Sequence, residues 1–451
     1  MKTSYPYWPD KVLNKQVWQL AWPIMLSNMT VPLLGLADTA ILGHLPDPRY
    51  LAAIAVAGVL FSTLFWAFGF LRMGTTGLVA QAVGRDDGSS NRTTLAQSLI
   101  LALAIASTIL LLQAPLIQLA LTLAAASPDV TEQAWAYANI RIWGAPAVLC
   151  NYVLLGWFVG NQNTRIPLLL LTLTNLINIL LNLLFVLGFS MRAEGVAFGT
   201  VIAEYISLLL GLFFCRRHLR LIPGHFILAK LRYLAEYTQL LKINRYLFIR
   251  TLSLLLCFAF FTAQGSRQGA DVLAANAVLL TFLMLISNAL DGFAHATEAL
   301  SGRILGERNT IRFYQLVTAT ALWSLASAVL LTLAFGVFGI PIIHLLTNIA
   351  SVRELASLYL PWLIILPLVG VWGFLLDGIF IGTSQAKAMQ NTMLVSVFFV
   401  FFPVWWLTQS YGNHGLWSAL VCLFIARADG TLGLPSIMST QPLGVLTKVT
   451  G

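Results

Sequence analysis

Charge is what this 451-residue chain has least of. Asp, Glu, Lys and Arg make up only 10% of it, while 58% is hydrophobic and the mean hydropathy is +0.82. A soluble domain carries roughly a quarter charged residues, so this composition excludes a water-facing globule of this length. Cysteine is scarce as well. Cys150, Cys215, Cys257 and Cys422 stand singly within or at the ends of apolar stretches, which excludes a disulfide framework and a cysteine metal site. No P-loop, HExxH or GxSxG motif occurs, so ATP hydrolysis and protease-type chemistry lack a foothold. No catalytic residue, metal or cofactor is expected. The first fifteen residues hold Pro6, Trp8, Pro9 and Asp10 where a cleavable leader needs an apolar core, so the first apolar span is expected to be retained.

What is present is apolar length. A helix needs about 20 apolar residues to cross the bilayer core, and it satisfies its own backbone hydrogen bonds there. Twelve such spans are expected, near 17–43, 51–80, 94–122, 129–159, 167–190 and 194–216, then near 243–265, 270–301, 314–346, 352–381, 389–410 and 414–435. The fold class is therefore all-α and polytopic, with twelve transmembrane helices in two pseudo-symmetric six-helix bundles. The lobes are expected at 1–216 and 243–435, joined by a cytoplasmic linker at 217–242 and followed by a tail at 436–451.

The net charge of +9 points to the membrane rather than to nucleic acid, because the basic residues sit in short loops. Seventeen Lys and Arg fall at the N-terminus and in the even-numbered loops, against four (Arg49, Arg192, Arg267 and Arg353) in the odd-numbered ones. Both termini are expected on the cytoplasmic side. The basic linker either lies partly on anionic lipid or is a solvated segment whose charges fix topology.

An internal repeat emerges at a shift of 222 residues. Leu51-Ala52-Ala53 then meets Leu273-Ala274-Ala275, Gly84 meets Gly306, and Gly156 and Gly160 meet Gly378 and Gly382. Six spans per half is an even number, so both halves insert the same way up, related by an axis along the membrane normal.

Ionisable and polar residues at membrane depth are costly, and each is a functional hypothesis. Asp38 lies well inside the first span, beside Thr39, with no cation one turn away. A lone carboxylate removed from water can exchange a proton near neutral pH. Asn175, Asn178 and Asn182 recur on one face of the fifth span, and Thr200 lies in the sixth. Amide side chains both donate and accept, so this row can serve either protonation state of Asp38. A purely structural role, as hydrogen-bonded glue between helices, stands beside that reading. Pro23 inside the first span removes a helical hydrogen bond and is a candidate hinge.

In the second half, Asp291, His295 and Glu298 share one face of a long span. They form either a cation or proton relay or, the favoured reading, a structural or gating salt-bridge network, with Arg72 and Arg250 as candidate partners. Asp377, before Gly378, is a further candidate. The many tryptophans fit interfacial belts and packing.

Taken in order, these motifs resemble the multidrug and toxic compound extrusion (MATE) family, and most its DinF-like branch. The resemblance runs from about Trp18 to Leu432. It is carried by Ala37-Asp38-Thr39 with Leu42-Gly43-His44-Leu45, by Asn178-Ile179-Leu180, and by Glu194-Gly195-Val196-Ala197. The stretch from Asp291-Gly292-Phe293-Ala294-His295 to Glu298-Ala299-Leu300 and Asp377-Gly378-Ile379-Phe380 carry it in the second half. The resemblance implies cation-driven antiport of lipophilic, often cationic, compounds out of a bacterial cell, with H⁺ the favoured coupling ion and Na⁺ the alternative. It implies that Asp38 is the protonation site, that the first helix moves about Pro23, and that Asn178 and Thr200 belong to the surrounding network. One departure stands out: relatives often carry an aspartate where this chain has Asn182. The protein is expected to be a monomer of the inner membrane, to contact lipid and a small substrate, and not to bind nucleic acid. A lipid-linked precursor flippase is the nearest competitor and a membrane-embedded enzyme a more distant one. Flippases of that kind generally carry fourteen helices and a more cationic cavity.

Overall fold

The computed structural model describes residues 7–42, 48–124, 127–189 and 191–428, with the side chains at 29 and 31–51 outside that description. No strand occurs among the described residues. Helix α1 spans Lys11–Leu42. It is followed by α2 (Ala52–Gly84), α3 (Gly88–Leu111), α4 (Pro128–Gly160), α5 (Arg165–Gly188) and α6 (Ala193–Leu219). The second half contains α7 (Leu234–Arg267), α8 (Ala270–Gly306), α9 (Thr310–Leu346), α10 (Ala350–Gly382) and α11 (Ala386–Tyr411), then α12 (Asn413–Arg427).

Helices α2 to α11 are each long and apolar enough to cross a membrane. α1 and α12 fall at the expected first and twelfth spans, of which residues 43 and 429–435, like the expected tail at 436–451, lie outside the described residues. Both α8 and α9 contain 37 residues, which at ~1.5 Å per residue is well beyond the bilayer core, so they project past it. Leu330, Leu333 and Val337 are exposed along one face of α9. In water that stripe would be costly, whereas against acyl chains it costs nothing.

Several helices depart from regular geometry. α4 contains a 3₁₀ turn at Ile142–Gly144. The fifth helix of each half contains a π turn, at Leu184–Gly188 in α5 and at Ser396–Phe401 in α11. Such turns widen a helix locally and free backbone groups, and they concentrate at functional places.

The repeat is legible at the level of atoms. A Cβ added at Gly156 of α4 would meet the backbone oxygen of Arg72 in α2, and one added at Gly378 of α10 would meet that of Ala294 in α8. Gly160 lies against Thr76 O and Val79, and Gly382 against Glu298 O and Ser301. Glycine and partner both move by 222 positions in each case, so the second and fourth helices of each half cross by the same glycine contacts. Only a residue without a Cβ allows backbones to approach this closely.

The chain divides into two compact units. One comprises Leu26–Leu240, and the other combines the residues up to Met25 with those from Leu241 onward. The division falls inside α1, two residues after Pro23. Before it, α1 packs on α8 and α9. Trp18 stacks near Phe293 and Trp323 at 5.9 and 5.2 Å between ring centres, Trp323 Nε1 donates to Asn14 Oδ1 at 3.0 Å, and Gly292 lies against Met25 and Ala21. After it, Thr30 engages α5, as described below.

The connection between α6 and α7 is strapped onto the start of α3. Arg92 donates to the carbonyls of Leu219 and Ile222, Gln97 Nε2 to Lys230 O at 2.9 Å, and the Ile227 amide donates to Thr93 Oγ1 at 3.2 Å. Gly224, at φ +109°, makes the turn that lets the connection pass over Ser89.

Candidate functional site

In the unit from Leu26 to Leu240, the asparagine row of α5 is buried against α6. Asn182 Nδ2 donates to Asn178 Oδ1 at 2.9 Å, Asn178 Nδ2 donates to Thr200 Oγ1 at 2.9 Å, and Thr200 Oγ1 donates to Val196 O at 2.9 Å. Asn178 and Asn182 are almost fully enclosed. Gly199 makes the contact possible, because a Cβ there would run into Asn182 Oδ1. Asn175, one turn earlier, bonds elsewhere: its Nδ2 donates to Thr30 Oγ1 of α1 at 2.8 Å, and Thr30 donates to Ser27 O at 2.7 Å. The row thus splits into an α5–α6 cluster and an α5–α1 link. Asp38 and Thr39 lie on α1, and their side chains fall outside the described residues.

One turn along α6 from Thr200 stands a carboxylate outside the candidate residues named from sequence. Glu204 forms a two-pronged ion pair with Arg141 of α4, with Nη1 to Oε2 at 2.8 Å and Nη2 to Oε1 at 2.5 Å. The guanidinium also lies over Phe65 and Phe61 of α2, at 5.0 and 5.7 Å from the ring centres. Gly144 closes over the pair, where a Cβ would collide with both charged groups. Asn151 Nδ2 donates to the Glu204 backbone oxygen at 3.1 Å. Buried ion pairs need this degree of satisfaction to offset desolvation.

In the other unit Asp377 of α10 is shared by two arginines. Oδ2 accepts from Arg250 of α7 and, at 2.7 Å, from Arg427 of α12. Arg427 lies over Phe424 and Phe374 at 5.3 and 5.8 Å. Arg250 forms its ion pair with Asp377, and Asp291 contributes to the field at its guanidinium. Glu298 is fully buried, while Asp291 and His295 on the same helix are half-buried. Arg72, the other candidate partner, belongs to the Leu26–Leu240 unit, where Gly156 packs on its carbonyl. Among the described residues no group of three His, Cys, Asp or Glu is placed to hold a metal.

Arg141, Glu204 and Arg427 were findable by the rule that picked out Asp38, since each is an ionisable residue inside an apolar span. Their pairing is not, because Arg141 and Glu204 are 63 positions apart and Asp377 and Arg427 are 50 apart.

A polytopic helical protein with repeated bundles and polar networks at membrane depth is built as a membrane transporter. The model of the MatE family matches residues 23–184 and again residues 247–407, once in each half. The chain is 44% identical over 417 residues to the DNA damage-inducible protein F of Escherichia coli (strain K12), covering 92% of this chain and 90% of that one. It is 25% identical over 428 residues to the "Probable multidrug resistance protein NorM" of Acinetobacter baylyi, covering 90% of this chain and 92% of the relative. A solved structure of a MOP superfamily transporter from Pyrococcus furiosus shares the fold with a TM-score of 0.86 at 19% identity, over 98% of this chain and 100% of that one. This chain belongs to the MatE family. Members of that family are transporters, not enzymes, which agrees with the absence of catalytic motifs in the sequence.

Proposed function

We propose that this protein is a cation-coupled antiporter that exports lipophilic, often cationic, compounds by alternating access, with Asp38 as the protonation site. H⁺ is the coupling ion favoured, with Na⁺ on the same carboxylate as the alternative. The observation that carries the reading is the buried Asn178–Asn182–Thr200 cluster, together with the link from Asn175 to Thr30 on the helix that bears Asp38. Amide side chains can donate to the charged form of a carboxylate and accept from its neutral form.

The change of partners along α1 gives the cycle a moving part. The helix leaves one unit for the other two residues after Pro23, where the missing amide hydrogen weakens the helical ladder. Bending there would alter the surroundings of Asp38 without unpacking Trp18. Similarity to the probable multidrug resistance protein of Acinetobacter baylyi supports a drug as substrate. The excess of Lys and Arg in the even-numbered loops supports cytoplasmic termini in an inner membrane. The transport unit is a monomer in this reading, surrounded by lipid.

The test is accumulation of a fluorescent lipophilic cation in bacterial cells stripped of their own exporters. Expression of the chain should lower accumulation, and an uncoupler or Asp38→Asn should restore it. Equal export by Asp38→Asn at equal protein level would remove Asp38 from the mechanism.

A further inference from the structure

Each unit contains a guanidinium held by a carboxylate and two phenylalanine rings. Those are the groups that bind an organic cation: a counter-charge on one side and aromatic faces on the other. In the Leu241 unit the arrangement is locked, because Asp377 keeps a second arginine if Arg427 leaves. In the Leu26–Leu240 unit Glu204 bonds the guanidinium of Arg141, and displacement of that one group frees the carboxylate.

Apolar space adjoins the second arrangement. An apolar cavity of about 170 Å³ lies beside it, lined by Leu60, Phe61 and Leu64 of α2, by Ile142, and by the short helix Gln113–Ala124. Phe61 lines this cavity and is one of the two rings facing Arg141, and Ile142 is the residue next to Arg141. Leu119 and Leu123 form an exposed rim, which in a bilayer faces acyl chains. A dry cavity of ~150 Å³ holds one benzene-sized ring.

We propose that Glu204, Phe61 and Phe65 form a binding site for an aromatic organic cation, entered from the bilayer through this cavity, and that Arg141 is a tethered surrogate occupying it here. The ligand's ring fills the apolar cavity while its cationic head replaces the guanidinium against Glu204 and the two rings. Displaced Arg141 swings off Glu204, so ligand binding breaks a tie between α4 and α6 one turn from Thr200. The inference rests on the exporter reading for its ligand class and adds a site to it.

Binding of benzyltrimethylammonium to the full-length protein in nanodiscs tests the site, with neopentylbenzene, its uncharged carbon isostere, as control. Arg141→Met should bind the cation at least tenfold more tightly than the unmodified protein, because the competing guanidinium is gone. Adding Glu204→Gln to that variant should abolish the gain, while neopentylbenzene binds all forms alike. An Arg141→Met protein that binds no tighter, or a gain that survives Glu204→Gln, overturns the proposal. If Arg141→Met does not fold, Glu204→Gln alone decides: tenfold weaker cation binding supports the site, and unchanged binding removes it. Gradient-driven export by the unmodified protein alongside a failed binding test would leave the exporter reading standing without this site. Binding as described without any export would do the reverse.

Discussion

Gly156 lies against the backbone carbonyl of Arg72 so closely that a Cβ has no room. The same contact recurs 222 residues later between Gly378 and Ala294. Valine at either glycine should force α2 from α4, or α8 from α10, and cost about 1–3 kcal/mol or more. Alanine at Gly58 or Gly336, where nothing lies within 4 Å, should be neutral or stabilising by up to ~1 kcal/mol. Thermal unfolding of the purified variants in detergent checks both, and equal melting of Gly156→Val and Gly58→Ala would contradict the contact.

Arg250 and Arg427 should behave non-additively at Asp377. Removing either leaves the carboxylate paired and relieves repulsion between two like charges, so Arg250→Met or Arg427→Met alone should cost little. Removing both strands a half-buried carboxylate, a loss of about 3 kcal/mol. A double-mutant cycle followed by thermal unfolding measures this coupling. Additive losses would mean that the arginines do not share the group.

Much of this architecture can be read from residues alone. Apolar run length gives the helices, because only a helix or closed barrel satisfies its backbone in lipid, and the glycine matches at one offset anticipate contacts that turn out to be shared atom by atom. The asparagine row of α5 is legible for the same reason of periodicity. The division of α1 between two units is not legible, since Trp18 and Thr30 look like ordinary span residues until their neighbours are known. Nor are the Arg141–Glu204 and Arg427–Asp377 pairs, because a charge inside one span does not reveal which distant span holds its partner. The split in the asparagine row, with Asn175 turning to Thr30 while Asn178 turns to Thr200, likewise depends on side-chain direction.

Thr200→Val keeps shape and removes the acceptor of Asn178 and the donor to Val196. It should lower stability by about 1 kcal/mol, given what interhelical hydrogen bonds contribute in membranes. In the proposed mechanism, where these amides serve the coupling carboxylate, it should also shift the pH at which export is half-maximal. An unchanged pH profile would place Thr200 outside the network.

Asp87 caps α3, accepting from the Ser90 amide at 2.9 Å, and this hydrogen bonding to Ser90 holds its carboxyl below the usual value. A group whose folded value is depressed contributes stability above the unfolded value of about 3.9, and that contribution fades as pH falls through the lower folded value. Hydrogen exchange of the first turn of α3 should therefore quicken as the pH drops from 5 to about 3, beyond the intrinsic trend. Asp87→Asn should cap without this pH dependence, while Asp87→Ala should lose about 1 kcal/mol at neutral pH.

In the proposed mechanism one carboxylate on α1 couples export to an ion gradient. Proteoliposomes loaded with a lipophilic cation and given separate H⁺ and Na⁺ gradients test it most directly, with the unmodified chain compared with Asp38→Asn. Counter-transport driven by the H⁺ gradient is expected in the unmodified protein, and none above background in Asp38→Asn. Transport that ignores both gradients, or that persists unchanged in Asp38→Asn, would contradict it.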